Sequence, residues 1–189
     1  MKRLQIPWAG RAIVIAEVAD QFRWFNDREL ESIAELRLEK RRNEWMLSRI
    51  AAKQLALDLG ICVAPAACTV EDRRIGDWHV SLSHSGSYAA AAIDRSPVGV
   101  DVQVVRELKE SAAHLFLSDQ EEQAMRSLVI PNRLLHFWCA KEAAWKRRGG
   151  EIPTLKRVPL RLSSVSSNEL LFDEAETVAL GDVIVALTR

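Results

Sequence analysis

Between His136 and Lys146 the sequence reads His-Phe-Trp-Cys-Ala-Lys-Glu-Ala-Ala-Trp-Lys. Ala140, Ala143 and Ala144 favour a helix, no Gly or Pro interrupts it, and Gly149-Gly150 marks its end. On that helix Trp138, Glu142 and Trp145 are spaced four and then three, which puts them on one face, and Lys146 lies one turn beyond Glu142. An acid between two tryptophans, with Lys141 and Lys146 at hand, is a set able to hold a metal and a phosphate. The same residues also describe an ordinary helix carrying one Glu-to-Lys pair, worth about 0.2–0.5 kcal/mol.

A second acidic position lies earlier. Pro97-Val98-Gly99 opens a strand, Val98–Val105, in which Val98, Val100, Val102 and Val104 share one face and Asp101 and Gln103 the other. An aspartate inside a valine-rich strand is disfavoured by propensity and by burial, so it needs a partner. A cation or a set of backbone amides would serve. Asp101 with Glu142, and with the Gln103 amide oxygen aimed the same way, suits Mg²⁺, which takes a few protein oxygens and fills its octahedron with water and substrate phosphate. A third cluster, Ser83-His84-Ser85-Gly86, reads as a hairpin tip carrying a histidine between hydroxyls; hydroxyls satisfying turn amides describe it as well.

These positions need elements to hold them. Ala12–Val18 is a β-branched first strand, and Asp27 is an N-cap for a short helix. Glu35 to Leu59 carries helical periodicity, with Trp45, Met46, Ile50 and Leu57 as its buried stripe and Lys40, Arg41, Arg42, Arg49 and Lys53 as a basic, solvated side. Trp78–Ser83 alternates as a half-buried strand, and Tyr88–Ile93 follows it as the hairpin partner. Glu107–Leu117 and Ser118–Leu128 read as helices, the second opened by a Ser118/Glu121 capping box. Pro131 opens the central helix, and Val158–Leu162, Leu170–Phe172 and Val183–Leu187 are short strands. The order predicts an α+β fold of two similar halves, 1–95 and 96–189.

Charge is balanced, 26 basic against 26 acidic residues in 189, which gives no bulk drive toward nucleic acid. Residues 141–161 are locally basic, as a small anionic ligand or an acidic partner would require, or as a helix C-terminus prefers. Cys62, Cys68 and Cys139 have neither metal-ligand nor redox spacing. Glu17 cuts short the apolar run near the N-terminus, so neither a signal peptide nor a membrane span is expected. A soluble, cytoplasmic protein is the expectation.

Three segments in order, Val80-Ser81-Leu82-Ser83-His84-Ser85, Val98-Gly99-Val100-Asp101-Val102-Gln103 and Trp138-Cys139-Ala140-Lys141-Glu142-Ala143-Ala144-Trp145-Lys146, resemble the signature motifs of the Sfp-type 4′-phosphopantetheinyl transferases. Arg42 to about Arg161 looks family-like. The resemblance implies a pseudo-dimer of two α+β halves with coenzyme A bound in the cleft between them. It implies Mg²⁺-dependent transfer of the phosphopantetheine arm to a serine of an apo acyl or peptidyl carrier protein, with release of 3′,5′-ADP. By similarity Asp101, Gln103 and Glu142 would be metal ligands, and Asp101, Glu142 and Lys146 would be catalytic. Lys141, Lys146, Ser83, His84, Arg42 and Arg49 would contact coenzyme A, the last four toward its nucleotide end. The family's strand motif commonly ends in glutamate where this chain has Gln103, so a weak or water-mediated metal contact is expected there. Carrier proteins are typically acidic, which makes Arg147, Arg148 and residues 107–128 docking candidates. A monomer is expected. The alternative is a coenzyme A or carrier-protein binding module of the same fold that has lost its chemistry, Gln103 being the visible lesion.

Overall fold

Four consecutive alanines decide how the first half packs. Ala89–Ala92 lie in β5 (Tyr88–Asp94), between β2 (Ala12–Ala16) and β4 (Trp78–Ser85), and all four are fully buried. Ala89 and Ala91 share an apolar cluster with Ile50, Ala51 and Leu55 of helix α2 (Glu39–Asp58). Methyl groups on both surfaces let helix and sheet close to crystal-like density. β1 (Lys2–Leu4) and β3 (Arg74–Ile75) complete an antiparallel sheet of order β1-β2-β5-β4-β3, and helix α1 (Asp27–Glu35) precedes α2. The computed structural model describes residues 1–189, which form two compact units, Met1–Pro97 and Val98–Arg189.

The second unit repeats the plan. After β6 (Val100–Val104) come α3 (Asp119–Arg126) and α4 (Arg133–Arg147). Then follow β7 (Leu162–Val165), β8 (Glu169–Phe172), β9 (Ala175–Leu180) and β10 (Val183–Thr188), in an antiparallel sheet of order β6-β10-β9-β8-β7. α4 packs across β6, β9 and β10. With β1 and β7 set aside, β2-β5-β4-β3 corresponds to β6-β10-β9-β8, each with a long helix inserted after the first strand. This is the duplicated α+β architecture that the order of elements predicts.

Both units also share an internal latch. In the first, Asn26 caps α1 in a capping box with Glu29, and the Glu29 carboxylate takes a 2.8 Å hydrogen bond from Lys53 of α2. The Lys53 ammonium also donates to the Pro65 carbonyl at 3.0 Å. In the second, Ser118 caps α3 in a box with Glu121, whose carboxylate lies 2.7 Å from Lys141 of α4, and Lys141 also donates to the Val158 carbonyl. Both lysines are fully buried. A buried ammonium must be both paired and hydrogen-bonded, and here one charge ties a helix start, a long helix and a distant turn together.

Several local expectations shift. Ser83-His84-Ser85 belongs to β4; the turn is Gly86-Ser87, with Gly86 at φ 57° and Ser85 paired to Tyr88. Residues 107–117 hold only a 3-10 turn, Glu110–Leu115. Val158–Leu162 is not a strand: a 3-10 turn covers Leu155–Arg157, Pro159 offers no N–H to a ladder, and β7 begins at Leu162. Lys53, read as solvated, is buried in the latch. Two-residue β3 and the Glu/Thr-containing β9 carry too little pattern to announce themselves.

Candidate active site

The close approach of β6 and α4 builds the site. A Cβ on Gly99 would lie 1.9 Å from the Ala143 carbonyl oxygen, so only glycine lets the strand start against the helix backbone here. One step along β6, Asp101 is 2% exposed. Its Oδ1 accepts from Lys146 Nζ at 2.7 Å and its Oδ2 from Gln103 Nε2 at 3.0 Å. Lys146 also donates to the Val100 carbonyl at 3.1 Å. A carboxylate at this depth is tenable because an ammonium and an amide both address it. The partner anticipated for a strand aspartate is thus Lys146.

Glu142 lies one turn before Lys146 on α4 and is half-buried. Burial first, then the charge of Asp101, raise its pKa above the ordinary 4.5, while Lys146 opposes them. Glu142 therefore lies near enough to Asp101 to feel its charge, and Lys146 moderates that effect. Cys139, one turn below, is fully buried, and its thiol donates to the Ile184 carbonyl at 3.5 Å. Burial, then Asp101, push that thiol well above its usual range, so it stays neutral. The carboxylates of Asp101 and Glu142 and the amide oxygen of Gln103 are hard oxygen donors of the type a divalent cation such as Mg²⁺ takes, and binding one would require Asp101 to exchange its bonds to Lys146 and Gln103.

The other expected contacts part company. Lys141 is turned into the core and engaged by Glu121 and the Val158 carbonyl, a placement that leaves its ammonium holding the fold together where contact with coenzyme A was expected. In the first unit, His84 is exposed on the wall of a cleft of about 600 Å³, with Lys40, Glu39, Glu44 and Glu17, and its Nδ1 is 3.8 Å from Glu44. Ser83, its neighbour on the strand, is buried on the opposite face of β4. Arg42 and Arg49 do not line this cleft. Arg49 stacks on Trp45, 3.7 Å from the ring centroid, where burial lowers its pKa and Glu29 counters. Gly99, Glu121 and Cys139 are the site-building residues that the sequence reading passed over. Only the glycine carried a signal, lying beside the strand that holds Asp101.

The profile of the 4′-phosphopantetheinyl transferase N-terminal domain matches residues 31–94, and that of the 4′-phosphopantetheinyl transferase superfamily matches residues 97–186. Together they cover most of the chain, which belongs to the 4′-phosphopantetheinyl transferase family. Among individual proteins, the 4′-phosphopantetheinyl transferase psf-1 of Bacillus pumilus is 34% identical over 80 residues, 41% of this chain and 34% of its own length. Enterobactin synthase component D of Escherichia coli (strain K12) is 31% identical over 117 residues, 57% of this chain and 54% of its own. The alignments thus span about a third to a half of the curated relatives. The crystal structure of Thermotoga maritima holo-[acyl-carrier-protein] synthase overlays 48% of this chain and 60% of its own, at TM-score 0.36 and 18% identity, a likeness too slight to carry an argument. No helix is long and apolar enough to cross a membrane.

Proposed function

We propose that the chain transfers the 4′-phosphopantetheine arm of coenzyme A to a serine hydroxyl of an apo acyl or peptidyl carrier protein, releasing 3′,5′-ADP. The observation that carries this reading is the convergence of Asp101, Glu142 and Lys146 on β6 and α4, in a chain of this family. In the transfer the serine oxygen bonds to the phosphorus bearing the arm, and the diphosphate P–O bond breaks. Such a reaction needs positioning and charge neutralisation more than covalent help. Lys146, delivered by α4 and steadied by Asp101, supplies a positive charge to the diphosphate. Glu142 takes the serine proton; its raised pKa makes it a better base than an exposed glutamate. Asp101 and Glu142, with Gln103 beside them, would hold Mg²⁺, which when bound supplies charge neutralisation at the diphosphate.

The test is intact-mass analysis of an apo carrier protein after incubation with this protein, coenzyme A and Mg²⁺. The reading expects a gain of about 340 Da, the mass of the transferred arm, lost on chelation and in Asp101→Ala. No gain on fatty-acid, polyketide or peptide-synthetase carriers, with coenzyme A still binding in calorimetry, would leave the binding-module reading in its place. Gln103→Glu should lower the Mg²⁺ concentration for half-maximal activity; an unchanged value removes Gln103 from the metal site.

A further inference from the structure

The basic stretch that follows α4 exceeds what a helix end uses. α4 stops at Arg147, and the pull of a helix C-terminus fades within its last turn, yet Lys156, Arg157 and Arg161 come well after it. These three stand around a cleft of about 450 Å³ in the second unit, between the start of α3, Phe137 of α4 and the segment that leads into β7. We propose that this cleft binds a phosphomonoester with a small apolar or aromatic body, at a site separate from Asp101, Glu142 and Lys146.

Charge names the ligand. The cleft has two acids, and both are already engaged. Glu121 accepts from Lys141 and from the Ser118 and Leu160 N–H groups, and Asp173 Oδ1 accepts from the Arg161 and Glu174 N–H groups at 2.9 and 3.0 Å. The cations are not engaged in the same way. The guanidinium groups of Arg157 and Arg161 make no hydrogen bond or ion pair within the chain, and Lys156 donates only to the His114 carbonyl, at 3.2 Å. Lys141, Lys156, Arg157 and Arg161 against Glu121 and Asp173 leave an excess of two positive charges. A phosphomonoester, at about −1.5 to −2 near pH 7, cancels that excess, whereas a carboxylate or phosphodiester, at about −1, does not. Guanidinium forks also meet phosphate oxygens two at a time. Ser118 and Gln120 bring the start of α3 to the same wall, where helix N–H groups favour an anion, and Asp119 and Glu122 do not line the cleft.

Shape supplies the rest. Phe137 and Leu160 lie beneath the charged rim, with Ala124 and Leu162 beside them, and an apolar floor under a few polar groups is the pattern of a small-molecule pocket. On α4, Phe137 and Lys141 form one row, while Glu142 and Lys146 form another about 100° further round, so the two sites open on different sides of the helix. The first unit shows that the fold does not demand these charges. Pro65 and Val158 offer the latch carbonyls in the two units, and residues 61–70 around Pro65 include no charged residue.

The experiment is titration of the whole chain with phenyl phosphate, followed by calorimetry and by amide chemical-shift mapping; neither readout depends on transfer activity. Expected is one saturable site whose shifts centre on residues 118–121 and 156–162, and which persists in Lys146→Met. Benzoate, with one charge in place of two, should bind at least about 10-fold more weakly. Inorganic phosphate, which leaves the apolar floor empty, should do the same. Arg157→Gln with Arg161→Gln should weaken phenyl phosphate at least about 10-fold, with the melting temperature and the rate in the carrier-modification assay unchanged. No saturable binding, shifts centred elsewhere, loss of binding in Lys146→Met, or equal affinity for benzoate or inorganic phosphate would each overturn the proposal. So would a double variant that keeps phenyl phosphate but raises the KM for the apo carrier, which would make the patch a surface for an acidic protein.

Discussion

The two units build one scaffold twice, and the proposed chemistry falls on only one copy. Counting from the latch lysines, Glu142 and Lys146 stand one and five residues past Lys141, where the first unit has Gln54 and Asp58 past Lys53. Those two bond to each other, Gln54 Nε2 to Asp58 Oδ1 at 2.8 Å, and Asp58 takes Arg3 at 2.8 Å, as ordinary surface residues do. The first strands differ in kind: Ala-Ile-Val-Ile-Ala in β2 against Val-Asp-Val-Gln-Val in β6. The latches differ too. Glu121 Oε1 accepts a hydrogen bond from the Leu160 N–H at 2.9 Å, whereas Glu29 Oε1 is buried with no hydrogen-bond partner in the chain. A folding element can thus be kept in both halves while the residues one helical turn away diverge into a site or into plain surface.

The largest difference between the two units should come from the latches. Lys141→Met should cost about 3–5 kcal/mol in urea denaturation, because it strands a buried carboxylate. Replacing both members should separate the units. Glu29→Leu with Lys53→Met should fall within about 1 kcal/mol of the parent, since it also removes an orphan oxygen. Glu121→Leu with Lys141→Met should cost clearly more, because the Leu160 N–H loses its acceptor. Equal costs would mean that the two latches are equivalent.

Acid sensitivity should come next and belong to the second unit. His136 is buried, with Nδ1 2.8 Å from Thr177 Oγ1, and burial lowers its pKa from 6.5 to about 4. The unfolded chain binds this proton below pH 6.5, while the folded chain refuses it until about pH 4. Stability is therefore full above 6.5 and falls as pH drops through that window, by at most about 3 kcal/mol. Ser48 stands at the corresponding position of α2 and cannot titrate. His136→Phe should flatten the stability profile between pH 4 and 6.5 in thermal melts, and an unchanged slope would point to other groups.

A smaller effect sharpens the roles within the site. If Glu142 is the base, turnover rises as pH climbs through its pKa, which lies above 4.5. Lys146 holds that pKa down, so Lys146→Met should move the acid limb of kcat to higher pH besides lowering the plateau. A limb that stays in place would assign the proton to another group.

The site was legible where its spacing is local. Glu142 and Lys146 stand on one helix, and Asp101 and Gln103 on one strand, so period alone aligns each pair. Contacts across long separations were not legible. Lys53 and Glu29 are 24 residues apart, Lys141 and Glu121 are 20 apart, and no pattern tells a latch lysine from a solvated one. The same limit hid Gly99, whose requirement comes from Ala143. The hairpin carrying His84 was legible in its strands but not in its turn, because serine and histidine are as acceptable in an edge of β4 as in a loop.

Whether the proposed chemistry rests on the second unit alone is decided by the carrier-modification assay on two matched variants, Glu142→Gln and Gln54→Ala. The rate of transfer should fall about 100-fold or more for Glu142→Gln and change less than about 2-fold for Gln54→Ala, with both proteins folded by circular dichroism. Near-normal transfer by Glu142→Gln, or equal losses in the two variants, would contradict it.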